Sequence, residues 1–162
     1  MFIYSVRASS VRFFVLIALV VVLAFTAVAL GGASVYASAA GSEIDYSGIK
    51  TNEDRVNFIE GFGISVSEKA KEEKSFTMPE NFDRVILGYN EIQKRQGLDL
   101  SKYARKKVTR YTYEVTNWDD EGESPVLVNL FVYRSKIVGC DVSRGGEGAF
   151  VLPLTEAAEH IR

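Results

Sequence analysis

Hydrophobic and polar positions change their spacing three times along this chain. From Phe13 to Leu30 there is no spacing at all: FFVLIALVVVLAFTAVAL is eighteen residues without a charge. As a helix it rises by about 27 Å, close to the roughly 30 Å hydrocarbon core of a bilayer. Gly31 to Tyr36 extend it uncharged, and Tyr36 suits the outer interface. The pattern predicts a transmembrane helix or signal anchor over residues 13–36. Arg7 and Arg12 precede the run and no acidic residue does. This predicts a short cytoplasmic N-terminus of residues 1–12, with the chain beyond residue 40 or so outside. Ala37-Ser38-Ala39 and Val35-Tyr36-Ala37 both fit the small-residue pattern of a signal-peptidase site. The apolar run is longer than the roughly 7–15 residues of a cleaved signal. The expectation is therefore a single-pass protein of the cell membrane, with secretion after cleavage near Ala39 as the alternative. A lipoprotein requires a cysteine just after the apolar run, and the single cysteine is Cys140.

Residues 37–50 are small and polar and read as a linker. Beyond them a period of 3.6 begins. Thr51 or Asn52 caps a short helix with Glu53 and Asp54 in its first turn, Val56, Ile59 and Phe62 as its stripe, and Gly61 and Gly63 as its end. Ile64-Ser65-Val66 alternates as a strand. Glu68 to Lys74 reads as a solvated hairpin tip, and Ser75 to Met78 as the return strand. Pro79 suits the first position of a second helix, in which Phe82, Val85, Ile86, Tyr89 and Ile92 form one apolar face and Gly97 is the stop. Leu98 to Tyr103 predicts a tight or single helical turn that tucks Leu98 and Leu100 underneath.

The period then drops to 2. Val108–Val115, Val126–Tyr133, Ile137–Val142 and Ala149–Leu154 read as strands. They are joined by the loop 119–125, the turn Arg134-Ser135-Lys136 and the glycines 145, 146 and 148. Strands so close together form an antiparallel meander. The predicted fold is α+β: behind the N-terminal transmembrane helix, an extracytoplasmic domain over residues 51–154 packs two helices on one face of a 4–6 stranded antiparallel sheet. Residues 155–162 are left as a polar tail.

Charge and chemistry narrow this picture only a little. All 21 acidic residues and all but two of the 19 basic ones come after the apolar run, so the domain carries a negative balance. That argues against nucleic acid and against an anionic membrane surface as partners. One cysteine forms no intramolecular disulfide, and an unpaired thiol outside the cytoplasm suggests burial. Cys140 lies in an apolar strand and His160 two residues from the end, so a Cys140–His160 nucleophile pair is the weaker reading of both. One Cys and one His do not close a zinc site. Asp119-Asp120-Glu121-Gly122-Glu123 lacks the alternating spacing of a calcium loop. Gly145-Gly146-Glu147-Gly148 runs into a strand rather than the helix a phosphate cradle needs. Arg105-Lys106-Lys107 with Arg110 reads as the solvated start of a strand. No cofactor is expected, and no catalytic or metal-ligating residue is assigned.

The stretch YNEIQKRQGLDLSKYARKKVTRYTYEV, Tyr89 to Val115, resembles the bacterial family catalogued as domain of unknown function 4830. Arg55-Val56-Asn57-Phe58-Ile59 with Gly61, Met78-Pro79 and then Phe82, and Gly139-Cys140-Asp141 fit the same resemblance, which spans about residues 52–154. In the family a second glycine often precedes the aspartate; Cys140 stands there in this chain. The resemblance implies a small extracytoplasmic domain behind an N-terminal membrane segment, and it carries over no activity, substrate or catalytic residue.

The function these features favour is a non-enzymatic, membrane-anchored binding or interaction domain. Its expected partner, besides the membrane itself through residues 13–36, is an envelope protein, a peptide or a small ligand. The candidate binding residues are polar groups beside the second helix, Asn90, Glu91, Gln93 and Gln96, expected to be exposed. A structural role, capping Leu98 or the next loop, is the competing reading of the same four. One alternative function is a carboxylate-dependent envelope hydrolase using Glu91 and Asp141, which requires the two to face one cleft. The other is a structural assembly subunit, which requires an exposed apolar patch or self-association. Oligomeric state is not readable.

Overall fold

A computed structural model describes residues 43–119 and 124–161. The predicted N-terminus, membrane segment and first part of the linker lie outside the described residues, as does most of the acidic loop. No helix among the described residues is long and apolar enough to cross a membrane.

Helix α1 spans Asn52–Glu60. It starts at Thr51 because two side chains satisfy its first donors reciprocally. The Thr51 hydroxyl accepts from the Asp54 N–H at 3.1 Å, and the Asp54 carboxylate accepts from the N–H groups of Thr51 and Lys50 at 2.7 and 2.9 Å. The backbone donor of Thr51, then that of Lys50, hold the Asp54 carboxyl below its ordinary value. Strand β1 is Glu72–Thr77, α2 is Arg84–Lys94, and a 3-10 turn covers Leu100–Tyr103. Strands β2 (Lys107–Glu114), β3 (Leu127–Tyr133), β4 (Lys136–Arg144) and β5 (Phe150–Leu152) complete a sheet in the order β1-β2-β3-β4-β5, antiparallel throughout. Helix α3 (Leu154–Ala157) and a 3-10 turn at Ala158–Ile161 come last. The α+β class and the meander are as expected. The β3–β4 turn is tight, with Arg134 and Ser135 at φ of 46° and 60°, the left-handed pair that matches strand twist in a two-residue hairpin.

The placement of the helices differs from the expectation. Tyr113 on β2 lies opposite Val128 on β3, while Asn129 lies opposite Asp141 on β4. Neighbours along a strand point to opposite faces, so Tyr113 and Asp141 mark the two sides of the sheet. Arg55 of α1 reaches the Tyr113 hydroxyl, and Tyr89 of α2 reaches Asp141. The two helices therefore cover opposite faces, not one. The α1 side holds the larger core: Ile59, Ile64, Tyr113, Val128, Leu130, Ile137, Cys140, Val142 and Leu154 are all fully buried there. The α2 side holds a smaller core of Met78, Leu100, Val108 and Val138, ringed by Phe76, Phe82, Tyr89, Tyr103, Phe131 and Tyr133.

Four local expectations change as well. Ile64–Val66 and β1 do not form a hairpin with each other; both run along β2, through the bridge Val66–Val115 and then the register Glu72–Thr112. The charged stretch between them has no partner strand to turn toward, so it tracks the β2 edge. Helix α2 begins at Arg84 behind an Asp83 cap rather than at Pro79, because the Asp83 carboxylate accepts the Ile86 N–H at 2.9 Å. The end of the expected linker packs on the domain: Ile49 is buried, its N–H donates to Ser135, and Ile137 donates to the Tyr46 carbonyl. The expected polar tail is also part of the core, since Ala157 is fully buried and the His160 ring packs 5.8 Å from Trp118.

Candidate functional site

Of the apolar stripe expected on α2, Phe82, Ile86, Tyr89 and Ile92 are partly buried, but the most deeply buried side chains of this stretch are amides. Val85 and Leu87 are 78% and 51% exposed, whereas Asn90, Gln93 and Gln96 are 2%, 0% and 6% exposed. The expectation that these three amides are exposed is thus corrected; Glu91 alone of the four candidates points to solvent, paired with Lys94 at 2.7 Å. The physical reason lies in β4. Strand β5 pairs with β4 only from Val142 onward. The N–H and C=O of Cys140 are therefore left at an open edge inside the fold, where unpaired backbone groups are costly. The Cys140 N–H donates to Gln93 Oε1 at 2.8 Å, and Gln96 Nε2 donates to the Cys140 carbonyl at 2.5 Å. Two glutamine side chains stand where a neighbouring strand would.

The same amides organise the chain beyond the helix. Gln96 Oε1 accepts from the Leu154 N–H at 3.0 Å, tying α3 to the end of α2. Asn90 Oδ1 accepts from the Leu100 N–H at 2.8 Å, and Asn90 Nδ2 donates to Asp99 at 2.9 Å. The Gln93 carbonyl accepts from Leu98, with Gly97 at φ 80° closing the helix. The loop capping that competed with the binding reading is present in these bonds. Close approach to β4 depends on Gly139: a Cβ there would sit 2.9 Å from Leu100 Cδ2 and 3.4 Å from Gln93 Oε1. The signal in the sequence was the recurrence of amides every third residue, at 90, 93 and 96, a stripe as regular as an apolar one.

Beside this edge lies a buried polar cluster on the α2 face. The Tyr89 hydroxyl donates to Asp141 Oδ2 at 2.5 Å. Asn129 Nδ2 donates to Asp141 Oδ1 at 3.0 Å and to Ser143 at 3.1 Å, while Asn129 Oδ1 accepts from Thr112 at 2.8 Å. Asp141 is 3% exposed. Burial pushes its carboxyl above the ordinary value, against the hydrogen bonds of Tyr89 and Asn129 that draw it down. Burial, and then the neighbouring Asp141 charge, push the Tyr89 phenol well above its own ordinary value. The cluster can hold a proton between α2 and the sheet. Glu91 and Asp141 are not brought together. Tyr89 reaches Asp141, and Glu91, two residues on, is about 200° round the helix from it.

The other candidates fall into place by burial. Cys140 is fully buried, burial pushes its thiol up, and no hydrogen bond joins it to His160. Arg105 and Arg110 of the basic patch pair with Glu80 and Glu72. The glycine loop leads into β5, as expected. Of the acidic loop only Asp119 is among the described residues, and among these no group of three His, Cys, Asp or Glu is arranged to hold a metal.

At the C-terminal end of α2 an open groove of about 840 Å³ runs between Glu43–Ser47 and Arg95–Asp99, with Lys102, Tyr103, Lys136 and Thr155 as its other lining. It joins two tyrosines, Tyr46 and Tyr103, with charges of both signs. The Tyr46 hydroxyl donates to the Gln96 carbonyl at 2.6 Å and fixes one wall against the other.

No curated protein and no solved structure matches the chain. The family model described as Domain of unknown function (DUF4830) matches residues 58–142, just over half of the sequence. That span runs from α1 to Val142 and takes in α2 with its amide stripe, Gly139 and Asp141. The chain belongs to the DUF4830 family.

Proposed function

We propose that this protein is a membrane-anchored domain that works outside the cytoplasm by binding an envelope protein, peptide or small ligand. The observation that carries the binding reading is the groove at the end of α2, where two tyrosines and charges of both signs line about 840 Å³. Aromatic faces with a few convergent polar groups suit a ligand that is itself part polar and part apolar. Gln96 contributes to this groove. Asn90, Gln93 and most of Gln96 are engaged inside the fold, which moves the ligand surface from the helix flank to the helix end. The support for the anchor is the uncharged run Phe13–Leu30 with Arg7 and Arg12 before it.

Two measurements test this. Cell fractionation with intact-mass determination is expected to find the whole chain in the membrane, with its C-terminal part open to added protease; a chain beginning near residue 40 in the medium supports the secreted alternative. A photo-crosslinking residue at Lys102 or Lys136 is expected to give one discrete adduct in intact cells, and the same residue at Lys74 on the β1 edge none. Equal labelling from all three sites contradicts the groove.

A further inference from the structure

The most buried arginine, Arg55, is paired with no carboxylate among the described residues. Arg55 is 9% exposed. Its guanidinium lies over the Tyr111 ring, 3.7 Å from the centroid, and its Nε donates to the Tyr113 hydroxyl at 2.7 Å. The Tyr113 hydroxyl donates its own proton to Asn52 Oδ1 at 3.1 Å, so the acceptor is oriented. One edge of the fork is thus fixed, and the two terminal nitrogens carry no hydrogen bond or ion pair among the described residues. The half-exposed Arg95, Arg105 and Arg110 each hold a carboxylate. The stem of Arg55 is buried, but its two terminal nitrogens are not sealed from solvent, so a ligand can reach them.

The carboxylates around Arg55 do not supply a partner. Asp54, its neighbour in the chain, is committed to the Thr51 and Lys50 N–H groups, and Glu72 and Glu114 alternate with Tyr111 and Tyr113 and so lie on the other face of the sheet. Glu73, opposite Tyr111 in the sheet register, is exposed and stands in no ion pair among the described residues. Arg55 is therefore a positive fork, pre-oriented by a ring and a hydroxyl, with both terminal donors unused. A planar fork of this kind matches the paired oxygens of a carboxylate or phosphate.

We propose that Arg55 is an oxyanion-binding site, taking a carboxylate or phosphate group of a ligand on its two terminal nitrogens. It lies on the α1 side of the sheet, apart from the α2 groove, and does not depend on the reading of that groove or of the anchor.

The test uses the full chain in a neutral detergent, titrated separately with inorganic phosphate, acetate and chloride at constant ionic strength. The readouts are the Arg55 Nε–Hε resonance and the melting temperature. Phosphate or acetate is expected to shift the resonance saturably and raise the melting temperature, with chloride giving neither. Affinity is expected to be roughly tenfold weaker in Arg55→Lys, which keeps the charge and loses the fork. Glu73→Gln, which removes the free carboxylate opposite Tyr111, is expected to tighten binding. Saturation by phosphate alone assigns a phosphate ester, by acetate alone a peptide or sugar carboxylate, and by both an oxyanion in general. A response in the wild-type chain no larger than that to chloride overturns the proposal, and so does an undiminished response in Arg55→Lys. The wild-type titration decides the matter even where a variant fails to fold.

Discussion

The two faces of this sheet are held in different ways. On the α1 face, Ile59 packs with the fully buried Tyr113, Val128, Leu130 and Val142, and α1 itself is short. On the α2 face the helix is longer and more regular, yet it is also tied to the sheet by hydrogen bonds: Gln96 and Tyr89 donate to the Cys140 carbonyl and to Asp141, and the Cys140 N–H donates to Gln93. Apolar packing is non-directional and sets how much stability there is. Hydrogen bonds to fixed backbone groups are directional and set where the helix sits. The weaker-looking helix is therefore expected to carry more of the stability, and the stronger-looking one to be placed by a few polar atoms.

The largest expected effect is on the α1 face. Ile59→Ala removes a fully buried side chain and is expected to cost roughly 2–5 kcal/mol in urea unfolding. A loss below about 1 kcal/mol breaks the contrast from that side. Gln93→Leu comes next: it leaves the buried Cys140 N–H without its acceptor and is expected to cost roughly 1–3 kcal/mol. A smaller effect than that of Val85→Ser contradicts the role given to the amides.

Asp141→Asn sharpens the comparison through pH. The folded-state value of Asp141 is raised above the ordinary aspartate value of 3.8. Its proton-linked stability is therefore complete below 3.8 and is lost as pH rises through the folded-state value. The wild-type chain is expected to lose stability relative to Asp141→Asn as pH rises above 3.8, read from urea midpoints at each pH. A gap that is constant with pH contradicts the buried charge. Smallest of all, Val85→Ser at a 78% exposed position is expected to change stability by no more than about 0.5 kcal/mol.

The strands of the meander from Lys107 onward, the turn at Arg134 and Ser135 and the cap at Thr51 were legible because each is decided by neighbours in the chain. The side of the sheet a helix takes is not. Phe82, Val85, Ile86, Tyr89 and Ile92 do make a stripe, and an apolar stripe normally faces the core. Here β5 is only three residues long and leaves the buried Cys140 N–H and C=O without a partner strand, so the helix turns its amides inward as well. That depends on strand lengths some fifty residues away. The buried ends of the domain were missed for a related reason. Ile49 and Ala157 lie in stretches that read as polar, and each is buried by what the fold brings over it. Of the four polar candidates of the α2 stretch, the regular spacing was legible and the burial of three of them was not. Arg55 stood inside a recognisable segment, but its stacking on Tyr111 joins residues fifty-six positions apart.

The central claim is that side-chain amides of α2 complete the open edge of β4. Native-state hydrogen exchange of the Cys140 amide tests it most directly. The account expects that amide to exchange as slowly as those of Ile137 and Val142, and to lose its protection in Gln93→Leu while theirs persists. A Cys140 amide that exchanges as fast as an exposed loop amide in the wild-type chain contradicts it.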